Sequence, residues 1–150
     1  MTTVKLGLLP TWNPQGAPTT VRTHVAAIIQ AYHTAAFVQK VKISGPGLAA
    51  PIIAQSDPAK PFGTSFLSRE IPLPPEKELG FPLFYDVELK YLDENNRECD
   101  PAVLAVQGTQ LGPTCVTAFA FSNDRNGGQG DDADYNDTVV SISLFPYSRD

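Results

Sequence analysis

An acidic stretch near the end of the chain carries the residues whose types and spacing could do chemistry. Residues 130–146 read GDDADYNDTVVSISLFP, with four Asp and one Asn in eight positions before a β-strand pattern. Within it, Asp132, Asp134, Asn136 and Asp137 have the spacing D-x-D-x-N-D. Ca²⁺ takes about six to eight oxygen ligands, which carboxylates and amide carbonyls supply. The spacing therefore predicts a calcium site, and the adjacent Asn136 and Asp137 allow it to hold one or two ions.

Neighbouring residues extend this prediction, and two other interpretations of the loop compete with it. Asp124, Asp131 and the carbonyl groups of the lead-in NDRNGGQG are candidates for the remaining ligand positions. An EF-hand is excluded because, counted from Asp132, the loop has Asp137 where that motif needs Gly and Ser143 where it needs Glu. A solvated acidic turn remains the alternative, since Asp, Asn and Gly favour turns for local reasons.

Several stretches alternate apolar and polar side chains, which is the period of a half-buried β-strand. The clearest is FYDVELKY, in which Tyr85, Val87, Leu89 and Tyr91 share one face. Four further stretches read as strands, and LGP between the second and third of them is a turn signal. They are FVQKVKI, AVLAVQGTQ, TCVTAFAFS and TVVSISLF.

Two regions are less regular. The stretch THVAAIIQAYHTAAF has the Ala content of a helix, but its Val and Ile residues suit a buried strand equally, so both interpretations stay open. Residues 44–82 are rich in Pro and predict short edge strands and loops. Short strands separated by turns indicate an all-β fold, an antiparallel β-sandwich with Pro-rich loops. The length of 150 residues fits a single domain, residues 1–150.

Composition excludes several classes of function. The net charge is −5 and the pI is near 4.9, whereas nucleic-acid binders usually carry a basic patch. The N-terminal apolar run is short and broken by Pro10, and no stretch approaches the length of a membrane span. We therefore expect no nucleic-acid partner, no membrane span, and a protein that is cytoplasmic or exported without a signal peptide. Cys99 and Cys115 could pair across strands or remain free thiols.

Enzyme motifs do not occur in the sequence. His24 and His33 are the only histidines, and both fit strand or loop positions better than catalytic ones. The sequence has no nucleophile elbow, no Walker loop and no Rossmann glycine pattern. A glycosidase needs two facing carboxylates, and nothing in the spacing groups the Glu residues in that way. We expect a protein that is not an enzyme.

The stretch DADYNDTVVSISLFP resembles the C-terminal pattern of the calcium-mediated, fucose- and mannose-binding lectins of the bacterial lectin II type. The likeness is specific over about fifteen residues and continues more weakly through the strands from FYDVELKY to TAFAFS. It implies a small β-sandwich that binds a monosaccharide or glycan terminus through two adjacent Ca²⁺ ions and assembles as a homodimer or homotetramer. This chain runs about three residues further, through YSRD, than the family pattern, which leaves the second ion and the dimer mode open.

The resemblance also implies roles for individual residues. The shared calcium ligands would be Asp132, Asp134, Asn136 and Asp137. The upstream ligand of the family would fall on Asp124, with Asn123 or Asp131 as the alternatives. An early-loop ligand of the family falls on Gln30, and the residues after it, including Tyr32 and His33, would tune sugar preference. Hydroxyl groups of the sugar would donate to the carboxylates of Asp131, Asp132, Asp134 and Asp137, with Tyr32 or Tyr135 against its apolar face.

A second function is compatible with the same loop. The domain could be a calcium-stabilised structural or adhesion β-sandwich whose ions are enclosed by protein oxygens and only hold the last loop. A lectin leaves open positions on the metal for sugar hydroxyls, whereas a structural site leaves none. Both functions predict that loss of the acidic side chains weakens calcium binding.

Overall fold

The computed structural model describes residues 2–10, 24–75, 78–110, 115–124 and 137–147. Within those ranges the chain forms β-strands joined by turns, and no helix there is long and apolar enough to cross a membrane. The strands are β1 Thr3–Leu8, β2 His24–His33, β3 Gln39–Ser44, β4 Ile52–Gln55, β5 Ser65–Pro72, β6 Leu83–Leu92, β7 Glu98–Cys99, β8 Ala102–Gln110, β9 Val116–Asn123 and β10 Thr138–Tyr147.

The strands form two antiparallel sheets packed face to face. The first sheet has the order β1-β6-β3-β4, and the short β7 pairs with the far end of β6. The second sheet has the order β5-β2-β10-β9-β8. This arrangement confirms the predicted all-β sandwich, and the Pro-rich residues 44–82 supply β4 and β5, which are edge strands of the two sheets as expected.

Alternating burial explains why these sequences form strands. Tyr85, Val87 and Leu89 of β6 are buried between the sheets, as the period-2 pattern predicts. On β10 the side chains of Ile142 and Leu144 are likewise buried. Both strands bury alternate apolar residues because successive side chains point to opposite sides of a sheet. The apolar core therefore lies between the two sheets.

The stretch that the sequence left open between helix and strand is β2. It pairs with β10 on one side and with β5 on the other, so its backbone groups are satisfied by two neighbours. Its alternate residues Val25, Ala27, Ile29 and Ala31 are fully buried against the opposite sheet. The small Ala side chains suit a central strand here because the facing sheet fills the space above them. Cys99 and Cys115 are both free thiols.

The two sheets meet at β1 and β8. The side-chain amide of Gln107 accepts a hydrogen bond from the Gly7 backbone N–H at 2.7 Å and donates to the Lys5 carbonyl at 3.1 Å. A Cβ at Gly108 would lie 2.8 Å from the Gly7 carbonyl oxygen, so the strands approach too closely there for a side chain. Gln107 thus occupies backbone groups of edge strand β1 that would otherwise be open to another strand.

Candidate functional site

The acidic loop connects β9 to β10, and its two ends belong to the described part of the chain. Asp124 follows β9 directly, and Asp137 immediately precedes β10. Antiparallel pairing of Thr138 with Ser122 brings these ends together. The predicted residues between them lie outside the described residues: Asp131, Asp132, Asp134, Tyr135 and Asn136.

Asp137 is held in a fixed orientation at the base of the loop. Its side chain is only 6% exposed, and its Oδ2 accepts a hydrogen bond of 2.6 Å from the backbone N–H of Asp124. The Asp137 backbone N–H donates to the Ser122 carbonyl at 3.0 Å, and its own carbonyl accepts from the Thr34 N–H at 3.1 Å. The predicted ligands Asp124 and Asp137 are therefore in direct contact, and Thr34, the residue after β2, is hydrogen-bonded to Asp137.

A buried glutamine from the other sheet contacts both ends of the loop. Gln39 is fully buried, and its Nε2 donates to Oδ2 of Asp124 at 3.2 Å. Its Oε1 accepts from the Thr138 hydroxyl at 2.8 Å, and its Nε2 is also 3.2 Å from the Phe37 carbonyl. A neutral amide can donate to a carboxylate and accept from a hydroxyl at once, so Gln39 fixes both.

Gln39 was missed by sequence reasoning, although the sequence contains a signal for it. In FVQKVKI it shares the buried face with Val41 and Ile43, so a polar side chain stands where the pattern calls for an apolar one. A buried amide requires hydrogen-bond partners. Its partners are remote in sequence, however, and only the fold identifies them as Asp124 and Thr138.

Gln30 is not brought together with the two aspartates. It lies on β2 opposite Ser141 of β10 and Ser68 of β5, and it points to the outer face of the second sheet. The pair formed by His33 and Thr138 marks the loop end of these strands. Gln30 is three residues before His33, which at about 3.3 Å per residue is a distance of roughly 10 Å along the strand.

Tyr32 and His33 point to opposite sides of the second sheet. Tyr32 is 39% exposed on the outer face, where it lies opposite Val139. His33 is fully buried, and its ring lies 6.3 Å from the rings of Phe62 and Phe66. Neither ring nitrogen of His33 has a hydrogen-bond partner among the described residues. The imidazole therefore has no accessible surface with which to contact a ligand in this structure.

Some charged residues elsewhere on the described surface pair with one another. On the outer face of the first sheet, Lys40 contacts Glu98 at 2.7 Å and Lys90 contacts Asp100. The hydrogen bond from Lys40 lowers the pKa of Glu98, and that from Lys90 lowers the pKa of Asp100. Exposed pairs of this kind contribute little to stability. In the described ranges, no three His, Cys, Asp or Glu residues group as a metal site.

Comparisons with known proteins agree with this architecture. No protein-family model matches the sequence, and no curated protein matches it. Among solved structures, the C-terminal domain of the BC2L-C lectin from Burkholderia cenocepacia is similar, with 16% identity and a TM-score of 0.51 over 93% of this chain and 92% of that one.

Two further lectins are similar over most of their length. The Chromobacterium violaceum lectin CV2L, in complex with α-methyl-fucoside, has 17% identity and a TM-score of 0.49 over 85% of this chain and 96% of that one. The Ralstonia solanacearum high-affinity mannose-binding lectin has 15% identity and a TM-score of 0.49, with the same two coverages. At 16% identity the likeness to the BC2L-C lectin domain concerns the fold alone, and that fold agrees with the β-sandwich that the sequence resemblance predicts.

Proposed function

We propose that this chain is a calcium-dependent carbohydrate-binding protein, and not an enzyme, that takes a monosaccharide such as fucose or mannose at the loop between β9 and β10. The observation that carries the proposal is the direct contact between Asp124 and the buried Asp137 at the base of the acidic loop. Its support from comparison is the shared fold with proteins described as lectins, one of them in complex with α-methyl-fucoside and another described as mannose-binding.

The described donor groups fit a hard divalent cation. Among the described residues, the Asp124 backbone N–H donates to the Asp137 carboxylate and the Gln39 side chain donates to the Asp124 carboxylate, and both of these donors are neutral. Carboxylate oxygens are the ligands that Ca²⁺ prefers. Asp132, Asp134 and Asn136 complete the proposed ligand set from the sequence. Gln30 stays a prediction from the resemblance alone.

The residues of the chain would act by orientation and hydrogen bonding. Two hydrogen bonds fix the Asp137 main chain and a third fixes its carboxylate, so that carboxylate loses little freedom when a ligand binds. Gln39 fixes the direction of the Asp124 carboxylate in the same way. Calcium, when bound, would supply a positive charge that coordinates sugar hydroxyl oxygens. The carboxylates would accept hydrogen bonds from the same hydroxyl groups. Hydrogen bonds to a charged acceptor are stronger than those between two neutral groups.

A structural role for calcium is the second candidate. The buried contacts of Gln39 with Asp124 and Thr138 favour it, because they already connect the loop ends to the opposite sheet. A cation at that point would strengthen the same connection without any sugar. The two functions differ in one observable, which is whether sugar binds in the presence of calcium.

Titration calorimetry tests the proposal. We expect α-methyl-fucoside or α-methyl-mannoside to bind in millimolar calcium and to give no heat in EDTA. Asp137→Asn should lower calcium affinity about 100-fold or more and abolish sugar binding, while Asn can still accept the Asp124 N–H so that the fold survives. Asp86→Asn on the first sheet is the control. Calcium stabilisation without sugar binding would establish the structural role, and no effect of EDTA would leave a solvated acidic turn.

We further propose that two copies associate through the outer face of the second sheet. Two neighbouring cross-strand rows group six uncharged apolar or aromatic side chains on this face: Tyr32, Leu104, Val106, Phe119, Phe121 and Val139. Among them Val139 is only 3% exposed, and the charged Glu70 lies at the β5 edge of the same face. Leu104 and Val106 are among the large apolar side chains that the described surface exposes, and the rings of Phe119 and Phe121 stack at 5.7 Å. Interface cores are depleted of charge and enriched in aromatic residues.

The size of this face suits a dimer. Five strands about 4.8 Å apart and roughly seven residues long span about 24 by 24 Å, a flat area of about 580 Å² against the roughly 800 Å² of accessible surface that each partner buries in a standard interface. Light scattering should give a dimeric mass for the wild type and a monomeric mass for Leu104→Asp. Ile53→Asp, at an exposed site on the other sheet, should stay dimeric. A monomeric wild type at micromolar concentration would contradict this assembly.

A further inference from the structure

The loop between β4 and β5, residues 56–64, lies beside the candidate site. At its start, Ser56 exchanges two hydrogen bonds of 2.8 Å with Gln39, which itself contacts Asp124. At its end, the Gly63 N–H donates to the His33 carbonyl at 2.7 Å. His33 precedes Thr34, whose N–H donates to Asp137. The start of the loop is therefore attached to Gln39, which contacts Asp124, and its end is attached to His33, the neighbour in sequence of the residue that contacts Asp137.

Internal hydrogen bonds hold this loop in one conformation. The Asp57 carboxylate accepts from the Ala59 N–H at 2.9 Å, and the Asp57 carbonyl accepts from the Lys60 N–H at 3.0 Å. The Pro61 carbonyl accepts from both the backbone N–H and the hydroxyl of Thr64. A Pro residue has a fixed φ, which further limits the chain. The loop can hold a side chain in place without a ligand to order it.

The side chain that this loop presents is Phe62. It is 65% exposed, and its ring is nearly perpendicular to the buried His33 ring, with an interplanar angle of 80° and ring centroids 6.3 Å apart. Gly63, with φ of 88°, allows the turn that directs the preceding residue outward. An exposed Phe costs solvation free energy unless something covers it. Here it stands at the same end of the sandwich as Asp124 and Asp137.

We propose that Phe62 packs against the apolar C–H face of the sugar and is a specificity-determining residue of the site; this inference rests on the proposed function. A pyranose offers hydroxyl groups at its edge and C–H groups on a face, so carboxylates and an aromatic ring recognise complementary parts of it. The predicted aromatic partner Tyr32 lies instead on the outer sheet face. Phe62 favours pyranosides that expose a continuous C–H face over those with an axial hydroxyl on that side.

The test compares matched Phe substitutions in the full chain by titration calorimetry with α-methyl-fucoside and α-methyl-mannoside in calcium. Phe62→Ala should weaken binding of the preferred sugar about 3- to 10-fold, as expected for loss of one aromatic contact, with calcium affinity and Tm unchanged. Phe84→Ala should bind as the wild type does. Phe84 is 48% exposed and lies far from the candidate site. It is about 23 Å along β6 from Tyr91, which is the residue paired with Gln39.

A second readout does not depend on weaker sugar binding by a variant. Phe62→Trp should change its fluorescence emission when sugar is added in calcium, whereas Phe84→Trp should not. If the wild type binds sugar and Phe62→Ala binds equally well, or if Phe62→Trp gives no change, the role of Phe62 is refuted while the proposed function stands. If the wild type binds neither sugar in calcium, the proposed function fails first and takes this inference with it.

Discussion

Replacing Gln39 with Met is the most direct test of how the loop ends are held. Met has nearly the volume of Gln and keeps the site filled, but it cannot donate or accept the three side-chain hydrogen bonds to Asp124, Phe37 and Thr138. The bond to the Asp124 carboxylate involves a charged partner and is worth about 1.5 kcal/mol or more. The two neutral bonds contribute roughly 1 kcal/mol each.

The expected loss is therefore about 2–4 kcal/mol of unfolding free energy, the lower value applying if water reaches the half-buried Asp124. For a chain of this size that corresponds to a decrease in Tm of roughly 4–16 °C. Calcium affinity should fall as well, because the Asp124 carboxylate loses the group that orients it.

Urea unfolding in EDTA and in millimolar calcium measures both effects. Gln55→Met is the matched control, since Gln55 is exposed on edge strand β4 and should change stability by less than about 0.5 kcal/mol. A loss below about 0.5 kcal/mol for Gln39→Met in EDTA would refute the reasoning, because it would mean that these buried hydrogen bonds contribute nothing net.

Two further predictions concern the fold. Burial raises the pKa of Tyr85 to about 12, and its hydroxyl donates to the Pro46 carbonyl at 2.9 Å. Since an unfolded Tyr ionises near pH 10, stability from this group is complete below about pH 10 and is lost as pH rises through about 12. Unfolding measured from pH 8 to 12 should show this decline, and Tyr85→Phe should reduce it while Tyr32→Phe does not. Gly108→Ala should cost about 1–3 kcal/mol, because its Cβ would lie 2.8 Å from the Gly7 carbonyl oxygen. Gly80→Ala, with open space around it, is the control. Equal stability of the two Ala variants would contradict the close approach of β1 and β8.

Alternation along the chain predicted the strand faces correctly because the period of a β-strand is local. In FYDVELKY the alternation of apolar and polar residues by itself separates the two faces of the strand. A sheet that packs on the apolar face must bury Tyr85, Val87 and Leu89. The acidic spacing is local in the same sense, so it predicts oxygen ligands for calcium without knowledge of the fold. The two ends of that loop, Asp124 and Asp137, lie together as the hairpin of β9 and β10 requires.

Positions that depend on register could not be read from the sequence. Gln30 and His33 belong to one strand, but Gln30 lies three residues before its loop end. Alternation along the same strand buries His33 and exposes Tyr32. The family resemblance that suggested Gln30 and His33 rests on residue types in a sequence alignment. The pairing of β2 with β10 decides which residues lie at the loop end of the strands. The state of Cys99 and Cys115 was undetermined for the same reason.

By itself, the sequence determined the β-sandwich class and the faces of the regular strands, and it predicts a calcium site in the acidic loop. Only the tertiary structure decided that β2 is a strand, because its Ala and Ile side chains fit either element until β5 and β10 pair with it on both sides. Only the tertiary structure placed Gln39 against Asp124, 85 residues later in the chain, and Phe62 against the buried His33. Contacts between distant segments are set by how two sheets pack, and no local pattern records which side chains that packing brings together.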